Sequence, residues 1–279
     1  MLYVSDLDMT LLNSEAQLSR CAINNINNFI QQGLHFTVAS ARSVKSIQPI
    51  FAEVELNLPV IEFNGAFISD LKTGEHLEVC AIDPGIVAAI HDILNRCQKN
   101  AFLSTFDGNS DHLYLTRTTN DGEDWYAQDR IRQKDLRLVK TNDLSRHFDE
   151  QVVCITLIDR KQKLESLARN FSEFSDRIEL HFQENAYSPG WYWLTLHSHR
   201  ASKDQAVKKL QQMLGLQQRK VTAFGDQIND IKMLRAADTG IAVENACEAL
   251  KKVASITIGH HSEDSVIHYI AEKNKLRLV

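Results

Sequence analysis

Apolar and polar positions alternate between two rhythms along the chain. Leu2-Tyr3-Val4-Ser5-Asp6-Leu7-Asp8 is a short apolar run ending in acids and predicts a buried strand. From Ser19 to Gly33 the apolar residues Ile23, Ile26, Phe29 and Ile30 share one helical face, and Gly33 is a natural stop. His35 to Ser40 predicts a strand, Ser43 to Phe51 a helix, and Pro59 to Phe63 a strand. This succession predicts a parallel sheet with helices on both faces.

The rhythm changes after Cys80. Asp83 and Pro84 open a helix running to about Asn100, with Asp83 as N-cap and Pro84 at the first helical position. Two strand-like runs follow, Ala101 to Phe106 and His112 to Thr116, then a polar stretch from Arg117 to Lys134. Val152 to Ile158 predicts a strand, Lys161 to Ser172 a helix, and Arg177 to Phe182 a strand. This segment is expected to form a compact α+β unit, residues 83–185, inserted into a core made of residues 1–82 and 186–279. From Trp191 the first rhythm returns. Strands are predicted at Trp193 to Leu196, Lys220 to Phe224, Gly240 to Val243 and Ser255 to Ile258. Helices are predicted over Lys203 to Leu214, Asp230 to Ala236, Cys247 to Val253 and Glu263 to Lys273. Ser202 and Gln205 read as a capping box for the first of these helices. The fold class expected is α/β: a Rossmann-like three-layer core with a parallel central sheet, plus an inserted cap.

Composition narrows the class. The chain has 279 residues, 43% hydrophobic and 24% charged, which suits a globular protein with a real core. Its net charge of −5 argues against holding nucleic acid by bulk charge. The five cysteines are scattered without a CxxC pair, which fits free thiols better than a disulfide framework or zinc site. No run approaches the ~20 apolar residues of a membrane span, and the first residues lack a signal-peptide pattern. A cytoplasmic protein without a membrane partner, monomeric or weakly dimeric, is expected.

The candidate chemistry lies at strand ends, where open parallel sheets bind ligands. Asp6 and Asp8, two apart in an extended run, point the same way. Two acids held together call for a cation or a shared proton, and a hard divalent cation suits oxygen ligands. One acid can then serve as nucleophile and the other as general acid and base. Aspartates also open ordinary turns. Ser40 ends the second strand, where its hydroxyl can donate to a phosphate oxygen or cap a helix. Lys203 sits in the first turn of a helix, against the helix dipole, where it gains a reason only by facing an anion; an exposed surface lysine is the plain alternative. Gly225-Asp226-Gln227-Ile228-Asn229-Asp230 supplies two acids and an amide after another strand, with Asp226 the cation-ligand candidate, although Asn229 or Asp230 could simply cap the next helix. Phosphoryl transfer needs positioning and charge stabilisation, and this set supplies both.

In this order the residues resemble the haloacid dehalogenase-like (HAD) phosphatases, most of all the Cof-type subclass IIB, which carries a large cap. The likeness spans essentially the whole chain. Asp6-Leu7-Asp8-Met9-Thr10 matches the first motif, Ser40 the second, Lys203 the third and Asp226 the fourth. The resemblance implies an aspartyl-phosphate on Asp6, and Asp8 as the acid that protonates the leaving group and then activates water. It implies Mg²⁺ held by Asp6, the backbone carbonyl of Asp8 and Asp226, with Asp230 as a direct or outer partner. It also implies phosphate binding by Ser40, Ala41, Arg42, Asn64, Gly65, Lys203 and Asn229. Asn64-Gly65-Ala66, Asn245-Ala246 and Asp264 fit the subclass too. Met9 stands where glycine is usual, Ser40-Ala41-Arg42 replaces the commoner Thr-Gly-Arg, and Ser265 replaces a frequent glycine. None of these removes a reacting group.

The substrate implied is a small phosphorylated metabolite, a sugar phosphate or phosphorylated cofactor, with the cap selecting the leaving group. Trp125, Tyr126, His112, Arg117 and Arg130 are candidates for contact there, though aromatics more often build core and charges solvated faces. His260-His261 has no other ligand type at zinc spacing and reads as a satisfied or exposed pair. A phosphotransferase or phosphomutase on the same scaffold is one rival, and a non-turnover phosphate-binding regulatory module is another. The inserted cap and the acid at Asp8 speak against the latter.

Overall fold

The computed structural model describes residues 1–185 and 188–279. The chain begins with β1 (Leu2–Ser5), α1 (Arg20–Gln31), β2 (His35–Val38), α2 (Val44–Ile47), β3 (Val60–Glu62), β4 (Phe67–Ser69) and β5 (His76–Val79). An inserted segment follows, with α3 (Pro84–Arg96), β6 (Phe102–Phe106), β7 (Asp111–Leu115), α4 (Asp121–Arg132), β8 (Leu138–Lys140), β9 (Gln151–Asp159), α5 (Lys161–Ala168), β10 (Ile178–Glu184) and β11 (Tyr192–Ser198). The chain then returns through α6 (Lys203–Met213), β12 (Val221–Gly225), α7 (Ile231–Ala236), β13 (Thr239–Ala242), α8 (Glu248–Lys251), β14 (Ile256–Thr257) and α9 (Ser265–Asn274).

These elements form two units. The first comprises Met1–Val79 and Ser202–Val279, and the second Cys80–Ala201. In the first, a parallel sheet runs β14-β13-β12-β1-β2. Every residue of β1 and β12 is buried, so both faces of the sheet are covered. α1 packs against β2 and α9, while α6 packs with α7. Ser19 caps α1 by accepting from the Ala22 amide, and Gly33 takes φ +82 just beyond its end, as the sequence led us to expect. Ala22, Ile26 and Phe29 form the helix's buried face, and burying one such large side chain stabilises by roughly 1.5–3 kcal/mol.

Three details of this unit differ from the sequence reading. The Pro59 to Phe63 segment joins an antiparallel sheet β3-β4-β5 and meets the parallel sheet through an isolated Ala39–Ile61 bridge and a bond from the Thr37 hydroxyl to the Pro59 carbonyl. The strands β4 and β5, short and separated by a tight turn, carried too few alternating positions to be read. Ser202 makes no side-chain cap to the α6 backbone; its hydroxyl instead accepts from the Gln205 side chain at 3.1 Å.

The second unit is a six-stranded sheet ordered β10-β11-β9-β6-β7-β8, antiparallel except for β7 with β8. Ile86, Val87, Ile90 and Ile93 of α3 and Leu164 and Leu167 of α5 pack with Leu103, Ile155, Leu157, Leu194 and Leu196. Phe102, Leu113, Leu115 and Ile158 pack with Ala127 and Tyr126 of α4. Neighbouring pairs such as Phe102 and Leu103 thus enter different clusters, as strand alternation requires. The polar Arg117 to Lys134 stretch contains α4, which the sequence pattern missed. Its start is fixed by Asn120, which accepts from the Glu123 amide, while Glu123 accepts from the Thr119 amide at 2.6 Å.

The expected return to the core at residue 186 falls outside the described residues. The second unit extends instead to Ala201, because β11 pairs antiparallel with both β9 and β10. The Trp193 to Leu196 run therefore belongs to the inserted unit and not to the core.

Candidate active site

The first unit's sheet brings the acids together through its register. Ser5 of β1 pairs with Phe224 of β12, and the Asp6 amide donates to the Phe224 carbonyl at 3.0 Å. Asp6 and Asp226 thus leave adjacent parallel strands at their carboxyl ends. Carboxylate oxygens of Asp6, Asp226 and Asp230 lie within 4.8 Å of one another, and all three residues are buried.

Lys203, in the first turn of α6, answers this charge. Its Nζ donates to Asp6 Oδ1 at 2.6 Å and to Asp230 Oδ1 at 2.7 Å, and its side chain has no exposure. The helix dipole disfavours a cation here, so two carboxylates supply the compensation. The other Asp230 oxygen accepts from the Asp226 and Gln227 amides at 3.0 and 3.1 Å. Asp230 therefore holds both the lysine and the turn that carries Asp226. Thr10 Oγ1 donates to Asp226 Oδ1 at 3.2 Å. A methyl group on Gly225 would lie 2.6 Å from the Asp230 side chain, so only glycine lets this turn close.

Burial dominates the protonation of the acids. It pushes Asp6 up to about 7, with Lys203 opposing and the Asp230 and Asp8 charges adding. Burial, then the Asp6 and Asp230 charges, pushes Asp226 up to about 8, against the pull of Lys203. Burial pulls the Lys203 ammonium down, but Asp230 and Asp6 outweigh it and raise it. Three carboxylates facing one ammonium fit a hard divalent cation, whose charge and preference for oxygen match the surplus.

The second motif lies on the loop after β2. Ser40 is buried, its amide donating to Ile61 O at 2.9 Å and its Oγ accepting from the Arg42 amide at 3.1 Å. Ala41 is exposed. Arg42 grips Asp8 through two hydrogen bonds, Nε to Oδ2 at 2.8 Å and Nη2 to Oδ1 at 2.6 Å. The Asp8 carboxylate is thus placed in this pair and outside the Asp6–Asp226–Asp230 cluster. Asn64 has φ 55 and donates its amide to Ser40 O at 2.9 Å. Asn229 Nδ2 donates to Asn64 Oδ1 at 3.1 Å, so these two residues meet across the strand ends. Gly65 has φ 106, and a methyl group there would stand 2.6 Å from the Ser202 carbonyl oxygen, just before Lys203.

Glu62 and its partners Ser69 and His76 escaped the sequence reading. Glu62, wholly buried, accepts from the Val44 amide and the Ser69 hydroxyl, and a ring nitrogen of His76 lies 3.3 Å away. It braces the loop carrying Ser40 and Arg42. Its only sequence signal was an acid inside an apolar strand. His261 is buried and donates from Nδ1 to Leu12 O at 2.7 Å, while the half-buried His260 pairs with Ser262. Asp264, at φ 52, accepts from the Ser19 hydroxyl at 2.8 and 2.7 Å, and Ser265 is buried at the start of α9. The contact candidates of the inserted unit are engaged within it. Trp125 and Tyr126 stand edge-on to Trp193, Arg130 lies over the Tyr126 ring, and His112 pairs with Glu150 at 3.2 Å, while Arg117 is exposed. The five cysteines are free, and no described helix is long and apolar enough to cross a membrane.

The site is a buried lysine bridging two acids, with a third acid just beyond the neighbouring strand of a parallel sheet. The model of the haloacid dehalogenase-like hydrolase family matches residues 3–270; the chain belongs to that family, in its phosphatase class. It is 22% identical over 277 residues to the Bacillus subtilis 5-amino-6-(5-phospho-D-ribitylamino)uracil phosphatase YitU, covering 96% of this chain and 95% of that protein. It is 24% identical over 271 residues to the Escherichia coli pyridoxal phosphate phosphatase YbhA, covering 95% of each. Among solved structures, the HAD subclass IIB sugar phosphatase BT4131 superposes with a TM-score of 0.76 at 17% identity, over 98% of each chain.

Proposed function

We propose that the protein hydrolyses small monophosphorylated metabolites, sugar phosphates or phosphorylated cofactors, in a Mg²⁺-dependent reaction through an aspartyl-phosphate on Asp6. The observation that carries this reading is the buried array in which Asp6 and Asp226, at the ends of two adjacent strands, meet Asp230, with Lys203 of α6 bridging Asp6 and Asp230. The substrates that YitU and YbhA are named for, 5-amino-6-(5-phospho-D-ribitylamino)uracil and pyridoxal phosphate, support the substrate class.

In the first step an Asp6 carboxylate oxygen attacks phosphorus and the bond to the leaving oxygen breaks. Asp8 gives that oxygen a proton. In the second step Asp8 takes a proton from water, the water oxygen attacks the same phosphorus, and the bond from phosphorus to the Asp6 oxygen breaks, which restores the Asp6 carboxylate and frees phosphate. Lys203 holds Asp6 in place and faces the incoming anion, and the Ser40 hydroxyl donates to a phosphate oxygen. Asp6 and Asp226, with the Asp8 backbone carbonyl, would hold Mg²⁺, and Asp230 would orient that set. A bound Mg²⁺ would neutralise charge on the phosphoryl oxygens. Because Arg42 grips the Asp8 carboxylate, proton transfer requires the pair to open, and a phosphoester dianion is the natural competitor for the guanidinium. Arg42, Asn64, Gly65 and Asn229 then line the anion's approach, with Ala41 on the same loop.

Phosphate release from a panel of sugar phosphates, nucleotides, phosphorylated cofactors and p-nitrophenyl phosphate, in Mg²⁺ and in EDTA, tests the reading. Mg²⁺-dependent release that disappears in Asp6→Asn is expected. Release that persists in EDTA, or a fully active Asp6→Asn enzyme, would overturn it.

A further inference from the structure

The turn after the first acids carries a backbone conformation its sequence does not favour. Met9 has φ 56, in the left-handed region where a side chain crowds the backbone. It lies between Asp8 and Thr10, so a change at Met9 moves the Asp8 backbone and the hydroxyl bonded to Asp226. The turn itself closes through Thr10, Leu11 and Leu12 amides, all donating to Leu7 O at 2.9 to 3.2 Å. Those bonds leave the Met9 carbonyl for another partner.

That partner is Asn245, 236 residues away, whose Nδ2 donates to Met9 O at 2.8 Å. The Asn245 Oδ1 accepts from the His261 amide at 3.1 Å, which fixes which end of the side-chain amide faces Met9. His261 in turn donates from Nδ1 to Leu12 O at 2.7 Å, on the far side of the same turn. Two residues beyond Asn245, the Cys247 amide donates to Asp226 O at 2.9 Å. The short loop after β13 therefore grips both strand-end turns, one through Asn245 and one through Cys247.

We propose that Asn245 is a positioning residue for catalysis, which holds Met9 in its left-handed conformation and so sets the Asp8–Thr10 backbone against Asp226. The proposal rests on the phosphatase reading for its kinetic consequence, but not for its structural one. Glycine at position 9 adopts the left-handed region without crowding, so it needs no such clamp. Asn245 and Met9 are thus coupled. Removing the clamp costs activity only while a side chain at position 9 resists the turn.

The test is a double-mutant cycle of Asn245→Ala and Met9→Gly, read in two ways. Asn245→Asp joins it, because aspartate keeps the acceptor for His261 and loses the donor for Met9; it carries the test should the alanine variant not fold. With p-nitrophenyl phosphate and saturating Mg²⁺, Asn245→Ala and Asn245→Asp should lower kcat by roughly ten- to a hundredfold, as small misplacements of reacting groups do. KM should move by no more than about twofold, since binding groups stay in place. In the Met9→Gly background the same changes should cost no more than about threefold. Hydrogen exchange of the Thr10, Leu11 and Leu12 amides, measured without substrate, should speed up in the Asn245 variants and return towards the wild-type rate when Met9→Gly is added. Equal losses of kcat in both backgrounds, or exchange at residues 10–12 that ignores Asn245, would overturn the proposal. A wild-type protein that releases no phosphate would refute the phosphatase reading alone, and the exchange cycle would still decide the clamp.

Discussion

Lys203→Met removes the ammonium bonded to Asp6 and Asp230 while keeping most of the length and the apolar stem of the side chain. The Lys203 ammonium contacts Asp6 at 2.6 Å and Asp230 at 2.7 Å, and its side chain has no exposure to solvent. Removing one partner of a buried ion pair strands the other, at a cost of about 3–5 kcal/mol. Here two acids are stranded together, with Asp226 beside them. Asp230 keeps two backbone amide donors, which offsets part of the cost and favours the lower end of that range. With roughly 2–4 °C lost per kcal/mol in units of this size, the melting temperature in EDTA at pH 8 should fall by about 6–12 °C. Calorimetry with and without Mg²⁺ provides the assay. Added Mg²⁺ should raise the melting temperature of Lys203→Met more than that of the wild type, because a cation replaces the missing charge. Phosphate release should drop by roughly a thousandfold or more, the scale of losing a charge aimed at the reacting group. A fall of less than about 2 °C in EDTA would show that the acids do not depend on this lysine, and the electrostatic account of the site would fail.

Three further outcomes follow from other residues. His197 is buried in the inserted unit beside Val153 O and Cys154, and burial drops it to about 4. Its unfolded counterpart takes up a proton near 6.5, so stability from this site is full above pH 6.5 and is lost as pH falls towards 4, by about 3 kcal/mol in total. Denaturant titrations at pH 8 and pH 4.5 should therefore diverge less in His197→Gln than in the wild type; equal divergence would contradict the assignment. Gly65→Ala places a methyl group 2.6 Å from the Ser202 carbonyl oxygen at a φ of 106, and should cost about 1–3 kcal/mol and displace Lys203, visible as a lower melting temperature and slower turnover together. Asp8→Asn should slow hydrolysis of alkyl phosphates far more than of p-nitrophenyl phosphate in the first step, because the aryl oxide leaves without a proton; equal slowing of aspartyl-phosphate formation would take the acid role from Asp8.

The sequence was most legible where burial and period agree. β1 and β12 read as strands because every residue in them is apolar or small, and their acids follow at once. The meeting of Asp6 with Asp226 was legible because both acids follow apolar strands of one parallel sheet, whereas Lys203 reaches them from α6, whose preceding strand lies in the other sheet. The end of the inserted unit was not legible, because an apolar run such as Trp193 to Leu196 looks alike in either sheet and only its pairing with β9 and β10 decides. α4 was hidden by its polarity, since its helix is held by capping at Asn120 and Glu123 and by a narrow contact at Tyr126 and Ala127. The Arg42–Asp8 pair and the Asn245–Met9 bond join residues 34 and 236 positions apart, which no local pattern encodes. Met9 itself was visible as a departure from glycine, but its consequence appears only with φ 56 and the amide that holds it.

The central claim is that phosphorus becomes bonded to Asp6 during turnover. The direct measurement is to quench the working enzyme with acid, reduce it with borohydride, and locate the product by peptide mass spectrometry, since borohydride converts an acyl phosphate to an alcohol and so turns a phosphorylated aspartate into homoserine. The account predicts homoserine at position 6, dependent on substrate and Mg²⁺ and absent in Asp6→Asn. Turnover with aspartate intact at position 6, or homoserine at another position, would contradict it.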